Sequence, residues 1–359
     1  MHVEGARLDA GELPLRVVQD GTVETWSPLR SHVVDVLFAG LARRARLFAE
    51  GWGDEQLLQE VTVGTSFLPE PARVQPVWGA PRLHRGAQVR DGTFASPLTR
   101  LEPAALTAHV RWLSDGGSNR RAACVVLAAS REEGFALRER LYASLVPEGV
   151  DLFLLENPYY GLRRPLGQRG GALRTVSDHV LMNLGMVEEA RALLAWLRGA
   201  GYERLGVAGY SMGGYMAALT AVLVPEPLGV AALAAGASPV PVFTRGLLSW
   251  SIAFEELDGS RRDAEQARHR LGRIFDLANL TRFPPPRQPG AAILLACRRD
   301  GFVPEGETRA LQAHWGHSEL RWVNAGHVSA ILTERTALCA AVRDSLARVE
   351  PVTRTQPAR

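Results

Sequence analysis

Short apolar runs alternate with helical patterns along most of this 359-residue chain. Uninterrupted apolar runs predict buried strands, and the spacing of apolar residues between them predicts helices. The predicted buried strands are 122–129, 150–155, 205–208, 228–235, 291–297 and 319–323. The predicted helices are 133–145, 186–197, 212–223, 305–314 and 334–347. This alternation predicts an α/β protein with a mostly parallel central sheet and helices on both faces.

The first 85 residues do not follow this alternation, and we interpret them as an arm and a helical extension packed on the core. Residues 1–27 are turn-rich, and 29–48 form a predicted helix with three arginines after its apolar part. The apolar face of this helix comprises Val33, Leu37, Leu41 and Phe48. We expect this face to pack on the protein itself, with peripheral contact to an anionic membrane as the alternative.

The main domain is predicted to span residues 86–350. Two strand-like runs, 88–95 and 107–113, come before the alternating part and suit an antiparallel edge of the sheet. Residues 240–289 interrupt the alternation with helix-like pieces, so we expect a helical cap over the carboxyl ends of the strands. Residues 351–359 are expected to form a disordered tail.

Composition narrows the possible partners. Hydrophobic residues make up 46% of the chain and charged residues 22%, as in a soluble globular protein with a sizeable core. The formal net charge is +3 and all basic residues are arginines, which are scattered, so no nucleic-acid partner is expected. The sequence contains no apolar run of transmembrane length. The oligomeric state is left open.

The three cysteines argue against a metal site and a disulfide framework. Cys124, Cys297 and Cys339 are odd in number and lack metal-ligand spacing. Reduced core thiols in a cytoplasmic protein are therefore expected, and the first residues lack the order of a signal peptide. No motif for a metal or an organic cofactor is present, so neither is predicted.

The segment 206–219 carries the first chemical signal, because it reads as an apolar strand, Gly209-x-Ser211-x-Gly213, and a small-residue helix. This order matches a nucleophile elbow, in which a strained turn lifts a serine above a parallel sheet. Glycines on either side of the serine remove Cβ atoms that would clash in so tight a turn. We therefore predict Ser211 as a nucleophile, with the Met212 N–H as an oxyanion donor.

A serine nucleophile needs an imidazole base and a carboxylate that orients it. Asp300 follows the strand 291–297, and His327 follows the last strand. The order Ser211, Asp300, His327 is the order that the α/β-hydrolase fold uses, with each residue at the carboxyl end of a strand. His314 and His317 precede the last strand and would point away, and His179 fits the start of a helix.

A second oxyanion donor is expected directly after the strand 122–129, from the backbone N–H of Ala129 or Ser130. Tyr159 and Tyr160 follow another strand, and they could contact the acyl group or pack against the cap. Trp250, within the cap, is a further candidate for substrate contact.

Several segments together resemble one small α/β-hydrolase family, which includes the eukaryotic α/β-hydrolase domain-containing protein eighteen. They are Gly51-Trp52-Gly53, Asp91-Gly92-Thr93-Phe94-Ala95-Ser96-Pro97, Leu154-Leu155-Glu156-Asn157-Pro158-Tyr159-Tyr160-Gly161, Val176-Ser177-Asp178, Ser211-Met212-Gly213-Gly214, Val242-Phe243-Thr244-Arg245-Gly246 and Gly326-His327-Val328-Ser329-Ala330. They cover roughly residues 30–348 in order. The chain departs from the glycine-rich family pattern at 128–133, which puts the path of the oxyanion loop in question.

The resemblance implies a serine hydrolase with the triad Ser211, Asp300 and His327 that cleaves a small-molecule or lipid acyl ester. An esterase or lipase-like hydrolase is thus the predicted function. Two alternatives remain: a non-catalytic binding module on the same fold, and an acyltransferase that uses the same triad with an acceptor other than water.

Overall fold

The computed structural model describes residues 31–63, 70–117, 121–257 and 264–350. The predicted arm 1–27 and the predicted tail 351–359 lie outside the described residues. The strands are β1 Val77–Trp78, β2 Arg82–His84, β3 Ala87–Ala95, β4 Thr107–Ser114, β5 Ala122–Leu127, β6 Val150–Leu155, β7 Arg204–Tyr210, β8 Gly229–Leu233, β9 Ala292–Cys297 and β10 Glu319–Val323.

These ten strands form one sheet in the order β1-β3-β4-β6-β5-β7-β8-β9-β10, with β2 paired to β3. Strands β1 to β4 pair antiparallel, β4 also meets β6 antiparallel, and all pairs from β6 to β10 are parallel. Strands β8 and β9 are buried along their whole length, as expected for strands covered on both faces. The predicted fold class is confirmed, including the antiparallel edge.

Helices cover both faces of the sheet. They are α1 Val33–Ala42, α2 Glu55–Val63, α3 Ala136–Tyr142, α4 Val176–Gly199, α5 Met212–Val222, α6 Val240–Thr244, α7 Phe254–Leu257, α8 Ala264–Asp276, α9 Glu305–Trp315, α10 His327–Thr333 and α11 Arg335–Ala347. Among the described residues, none of these helices combines the length and the apolar character needed to cross a membrane.

Two helices near the site begin where the sequence pattern does not place them. Helix α4 starts ten residues before the predicted position 186, because Thr175 and Asp178 form a capping box at its first turn. Helix α10 is not among the predicted helices, and His327, which follows the last strand, is its first residue. Strand β5 ends at Leu127, two residues before its predicted end, which leaves Ala128 and Ala129 in the following loop.

The orientation of α1 contradicts the predicted packing of its apolar face. Val33, Leu37 and Leu41 are each about two-thirds exposed, whereas the buried residues of the helix are Asp35 and Ala39. Phe48 is fully buried but lies beyond the helix, which ends at Ala42. The helix turns its acidic side inward because the Asp35 carboxylate binds backbone N–H groups of the core.

Residues 240–289 connect β8 to β9 and contain α6, α7 and α8. An aromatic cluster joins this segment to the rest of the protein. The ring of Phe243 lies 4.8 Å from that of Phe275, 5.0 Å from that of His179 on α4, and 6.3 Å from that of Phe48. The segment is thereby packed over the first turn of α4 and the end of the N-terminal extension.

Candidate active site

The turn between β7 and α5 raises Ser211 above the sheet. Its backbone lies at φ 57° and ψ −122°, a region that residues other than glycine rarely occupy. The turn is compact: a Cβ on Gly209 would lie 2.3 Å from the carbonyl carbon of Gly213, and one on Gly213 would lie 2.4 Å from the carbonyl oxygen of Leu127. Both glycines are required here for steric reasons, as the sequence pattern predicts.

The structure brings together the three residues predicted as a triad. The His327 Nε2 atom lies 2.7 Å from the Ser211 Oγ atom, and its Nδ1 atom lies 2.7 Å from Asp300 Oδ2. The other Asp300 oxygen accepts hydrogen bonds from the N–H groups of Phe302 and Val303, each at 2.8 Å. These bonds fix the carboxylate, which in turn selects the histidine tautomer that leaves Nε2 free to accept a proton.

The imidazole is tuned by opposing effects. Burial alone would lower the pKa of His327, but the negative charge of Asp300, its hydrogen bond, and the charge of Asp35 together raise that pKa above its ordinary value of 6.5. The Tyr210 hydroxyl donates to the His327 carbonyl and the Phe302 ring lies 5.0 Å from the imidazole. The base is thus held on several sides and made more basic.

The structure distinguishes between the two candidates for the second oxyanion donor. The Ala129 N–H donates to Glu132 Oε2 at 3.0 Å, and Arg138 holds the other oxygen of that carboxylate at 2.8 Å. Ser130 lines the cavity beside Ser211 together with Met212, and in the described part of the chain the N–H groups of both have no protein acceptor. Among the described residues beside Ser211, the N–H groups of Ser130 and Met212 are thus free of a protein acceptor, whereas that of Ala129 is engaged.

The oxyanion loop is tied to neighbouring elements. Arg131, in the left-handed region at φ 63°, donates to the carbonyl of Ala42, the last residue of α1, at 3.1 Å and to that of Ala45 beyond it at 2.8 Å. Burial raises the pKa of the Tyr160 hydroxyl, and the neighbouring Ser130 and Arg131 oppose this shift. The residues that replace the glycine-rich family pattern thus form a loop that hydrogen bonds fix to the end of α1.

Three residues considered for substrate contact lie outside the cavity next to Ser211. Tyr159 and Tyr160 are both almost fully buried. Trp250 is 37% exposed and lines a separate surface depression with Arg43, Arg46 and Arg268. Neither tyrosine lines the cavity beside Ser211, and Trp250 lines a different depression.

The cavity includes a pair that the sequence did not single out for substrate contact. His179 and Asn183, one turn apart on α4, both line it, and the His179 Nε2 atom lies 3.0 Å from the Asn183 Nδ2 atom. Burial lowers the pKa of His179 to about 3, so this histidine is neutral and binds a proton only weakly. The only sequence signal was its place at a helix start.

The described ranges contain no group of three or more histidine, cysteine or acidic side chains arranged to hold a metal ion. The three cysteines are unpaired and buried in the same hydrophobic cluster. The groups that the structure brings together at Ser211 are a serine, an imidazole, a carboxylate and backbone N–H groups.

A parallel sheet with an antiparallel edge and a serine on a strained turn between strand and helix defines the α/β-hydrolase class. The sequence profile of the family described as alpha/beta hydrolase domain containing 18 matches residues 45–264 and 258–348. The chain belongs to this family, as its motifs predict.

Two further comparisons place the chain among known proteins. It is 30% identical over 183 residues to an uncharacterized protein of Mycobacterium tuberculosis, a match that covers 50% of this chain and 42% of that relative. Among solved structures, the acetyl xylan esterase from Paenibacillus sp. R4 superposes with a TM-score of 0.50 at 16% identity, covering 90% of this chain and 99% of that one. That likeness extends to the fold alone.

Proposed function

We propose that this chain is a serine hydrolase that cleaves a carboxylic ester through an acyl-enzyme intermediate. The observation that carries the proposal is the continuous chain of hydrogen bonds from Ser211 through His327 to Asp300, with both key distances at 2.7 Å. A buried carboxylate orients the imidazole, and the imidazole lies within hydrogen-bond reach of the serine hydroxyl. It can therefore take the hydroxyl proton as the serine oxygen attacks.

In the proposed reaction the Ser211 oxygen attacks the ester carbonyl while its proton moves to His327 Nε2. The carbonyl oxygen becomes an oxyanion, which the N–H groups of Met212 and Ser130 are positioned to bind. His327 then gives the proton to the leaving alcohol, and a water molecule repeats the sequence to release the acid and regenerate the serine. Loss of one oxyanion donor typically lowers kcat about 100- to 1,000-fold. The position of the loop that carries the Ser130 N–H should therefore affect kcat strongly.

The test is covalent labelling with a fluorophosphonate, read by intact mass, together with hydrolysis of p-nitrophenyl acetate. We expect a single adduct on the wild type and none on Ser211→Ala or His327→Ala, with hydrolysis lost in parallel. Ser144→Ala changes an exposed serine outside the site and serves as the matched control that keeps both activities. Ester hydrolysis that persists in folded Ser211→Ala would contradict the assignment, and the non-catalytic binding module would then explain the protein better.

The cavity beside Ser211 supports a small acyl group as substrate. Its volume is about 60 Å³, and its walls include Met216 on α5 and Val242, Phe243 and Leu248 from the segment between β8 and β9. Cavities that hold larger ligands are several times this size, at roughly 300–1,000 Å³. We therefore propose an ester of a short acyl chain, with segment 240–289 acting as the cap, in preference to the long chain of a lipid.

A series of p-nitrophenyl esters of rising chain length tests this preference. We expect kcat/KM to be highest for acetyl to butyryl esters and to fall at least about tenfold for octanoyl and longer esters, because each added methylene beyond the cavity would displace packed side chains. Val242→Ala removes part of the cavity wall and so enlarges the cavity, which should shift the optimum of kcat/KM toward longer acyl chains. A wild-type optimum at twelve or more carbons would contradict a short acyl substrate.

A further inference from the structure

One buried carboxylate outside the triad contacts both of the loops that carry the acid and the base. Asp35, on α1, is completely buried. Its Oδ2 atom accepts hydrogen bonds from the N–H groups of Gly301 at 3.0 Å and His327 at 2.8 Å, and its Oδ1 atom accepts one from Val328 at 2.9 Å. Gly301 directly follows Asp300, so a single side chain links the backbones of the two residues that form the charge-bearing half of the site.

Within the ranges that the structure describes, these three N–H groups have no acceptor other than Asp35. His327 and Val328 are the first residues of α10, and the first N–H groups of a helix lack partners within it. A carboxylate that accepts hydrogen bonds from them caps the helix, and its negative charge interacts favourably with the positive end of the helix dipole. Without Asp35, the N–H groups would stay buried and unpaired, and the helix start that carries the imidazole would be free to shift.

The packing around Asp35 leaves little room for another arrangement. A Cβ on Gly326 would lie 2.8 and 2.9 Å from the two Asp35 oxygens and 2.3 Å from the Cβ of His32. The backbone N–H of His32 also donates to the Arg299 carbonyl at 3.0 Å, which gives α1 a second bond to the acid loop. The start of α1 is therefore tied to residues 299–301 through both a side chain and the backbone.

The charge of Asp35 acts on the same imidazole. Asp300 is the carboxylate bound to the ring, and Asp35 is a second negative charge that helps to raise the pKa of His327. The other groups that face this histidine are the Ser211 hydroxyl, the Tyr210 hydroxyl on its carbonyl, and the apolar ring of Phe302. Among the described residues contacting His327, only these two carboxylates supply negative charge.

We propose that Asp35 is a positioning residue of the active site, which sets the backbone of the acid and base loops and so makes α1 part of the catalytic assembly. The inference rests on the proposed hydrolase function. A residue that merely stabilised the fold would affect the melting temperature alone, whereas a positioning residue also changes kcat and the ionisation of His327 in protein that remains folded.

The test compares Asp35→Asn with the wild type. The asparagine keeps the shape but directs an N–H₂ group at backbone donors, so we expect kcat to fall about 10- to 100-fold with KM changed less than about threefold, as for small displacements of reacting groups. The acid limb of the kcat/KM profile should also move to lower pH. Asp35→Ser, which adds no opposing donor beyond a rotatable hydroxyl, provides a second variant if the asparagine form does not fold.

Glu189→Gln is the matched control for stability, because Glu189 is an equally buried carboxylate whose partners, Arg163 and Ser96, are not part of the proposed site. It should lower the melting temperature while the pH profile of the remaining activity stays that of the wild type. If Asp35→Asn behaves in the same way, with kcat and the acid limb unchanged, Asp35 has a structural role only and the inference is overturned.

A measurement that needs no turnover separates this inference from the proposed function. The pKa of His327 is followed by NMR in the Ser211→Ala protein with and without Asp35→Asn, and we expect the second change to lower it. Inactive wild-type enzyme combined with this lowered pKa would refute the proposed reaction and leave the coupling of Asp35 to His327 in place. An unchanged pKa would refute the coupling, whether or not the wild type is active.

Discussion

At the residue scale, the site depends on charged and polar groups taken almost entirely out of water. The side chains of His327 and Asp300 are 8% and 4% exposed. Burial of an imidazole disfavours its cation, and a nearby carboxylate favours it. Burial is the largest single effect here, but the charge and the hydrogen bond of Asp300 together with the charge of Asp35 outweigh it, since the pKa of His327 lies above 6.5. A higher pKa gives the imidazole a greater affinity for the serine proton. It also means that a higher pH is needed before the imidazole is unprotonated and able to accept that proton.

This balance predicts the pH dependence of the enzyme. His327 must be neutral to act as a base, so kcat/KM should fall as pH drops through the pKa of the free enzyme, and that limb should lie above 6.5. Asp300→Asn removes the larger of the two stabilising charges, so the limb should move to lower pH while kcat falls by about 10⁴.

The measurement is kcat/KM for p-nitrophenyl acetate across the acidic and neutral range, with circular dichroism at each pH to exclude unfolding. The wild type reports the limb, and Asp276→Asn, at an exposed ion pair with Arg282, is a control that should leave it in place. A wild-type limb below 6.5 would show that desolvation dominates the ionisation of His327.

At the element scale, α1 acts as a brace between parts of the site that are distant in the sequence. Its buried side binds the acid and base loops through Asp35, and the carbonyls at and beyond its end accept from Arg131 on the oxyanion loop. Helix ends leave carbonyl groups without partners, which a guanidinium with several donors satisfies well. One short helix is thus in contact with every loop that the proposed reaction uses, apart from the nucleophile elbow.

Loss of the Arg131 contacts should weaken the oxyanion site without affecting the base. In Arg131→Ala the loop loses its bonds to Ala42 and Ala45, so the Ser130 N–H is held less firmly and kcat should fall about tenfold, less than for complete loss of a donor. The acid limb should not move, in contrast to Asp35→Asn.

Stopped-flow or steady-state kinetics of Arg131→Ala provide this comparison, and the rate of fluorophosphonate labelling gives a second measure of the same site. Arg164→Ala is the matched control, because Arg164 forms an ion pair with Glu133 that is more than a third exposed and worth little. Equal rates for both arginine variants would mean that the loop keeps its position without the brace.

At the scale of the whole molecule, the sheet and the order of the triad could be predicted from sequence because both depend on local patterns. Apolar runs mark strands such as Ala292–Cys297, and the glycines around Ser211 mark a turn that only a small set of residues can form. The family motifs gave the same assignment. The triad's proximity in the structure agrees with its predicted order, and its catalytic role remains a prediction until the variants are measured.

The contacts that brace the site could not be predicted, since they join residues far apart in the chain. Asp35 and His327 are separated by 292 positions, and no local pattern marks an aspartate in a helix as the cap of another helix. The same limit explains the wrong orientation predicted for α1: periodicity showed which residues share a face, but the buried side was decided by three distant N–H donors. The hydrogen bond from the Ala129 N–H to Glu132 likewise could not be predicted, because it depends on the path of the loop.

The position of α1 has a consequence for where this protein can be cut. A fragment that starts at residue 86 would contain every strand from β3 to β10 and all three triad residues, and would match the domain boundary suggested by the sequence. It would nevertheless lack the carboxylate that caps α10 and the carbonyls that hold the oxyanion loop. Proteolytic removal of the N-terminal segment is therefore expected to abolish the proposed activity while Ser211, Asp300 and His327 all remain in the chain.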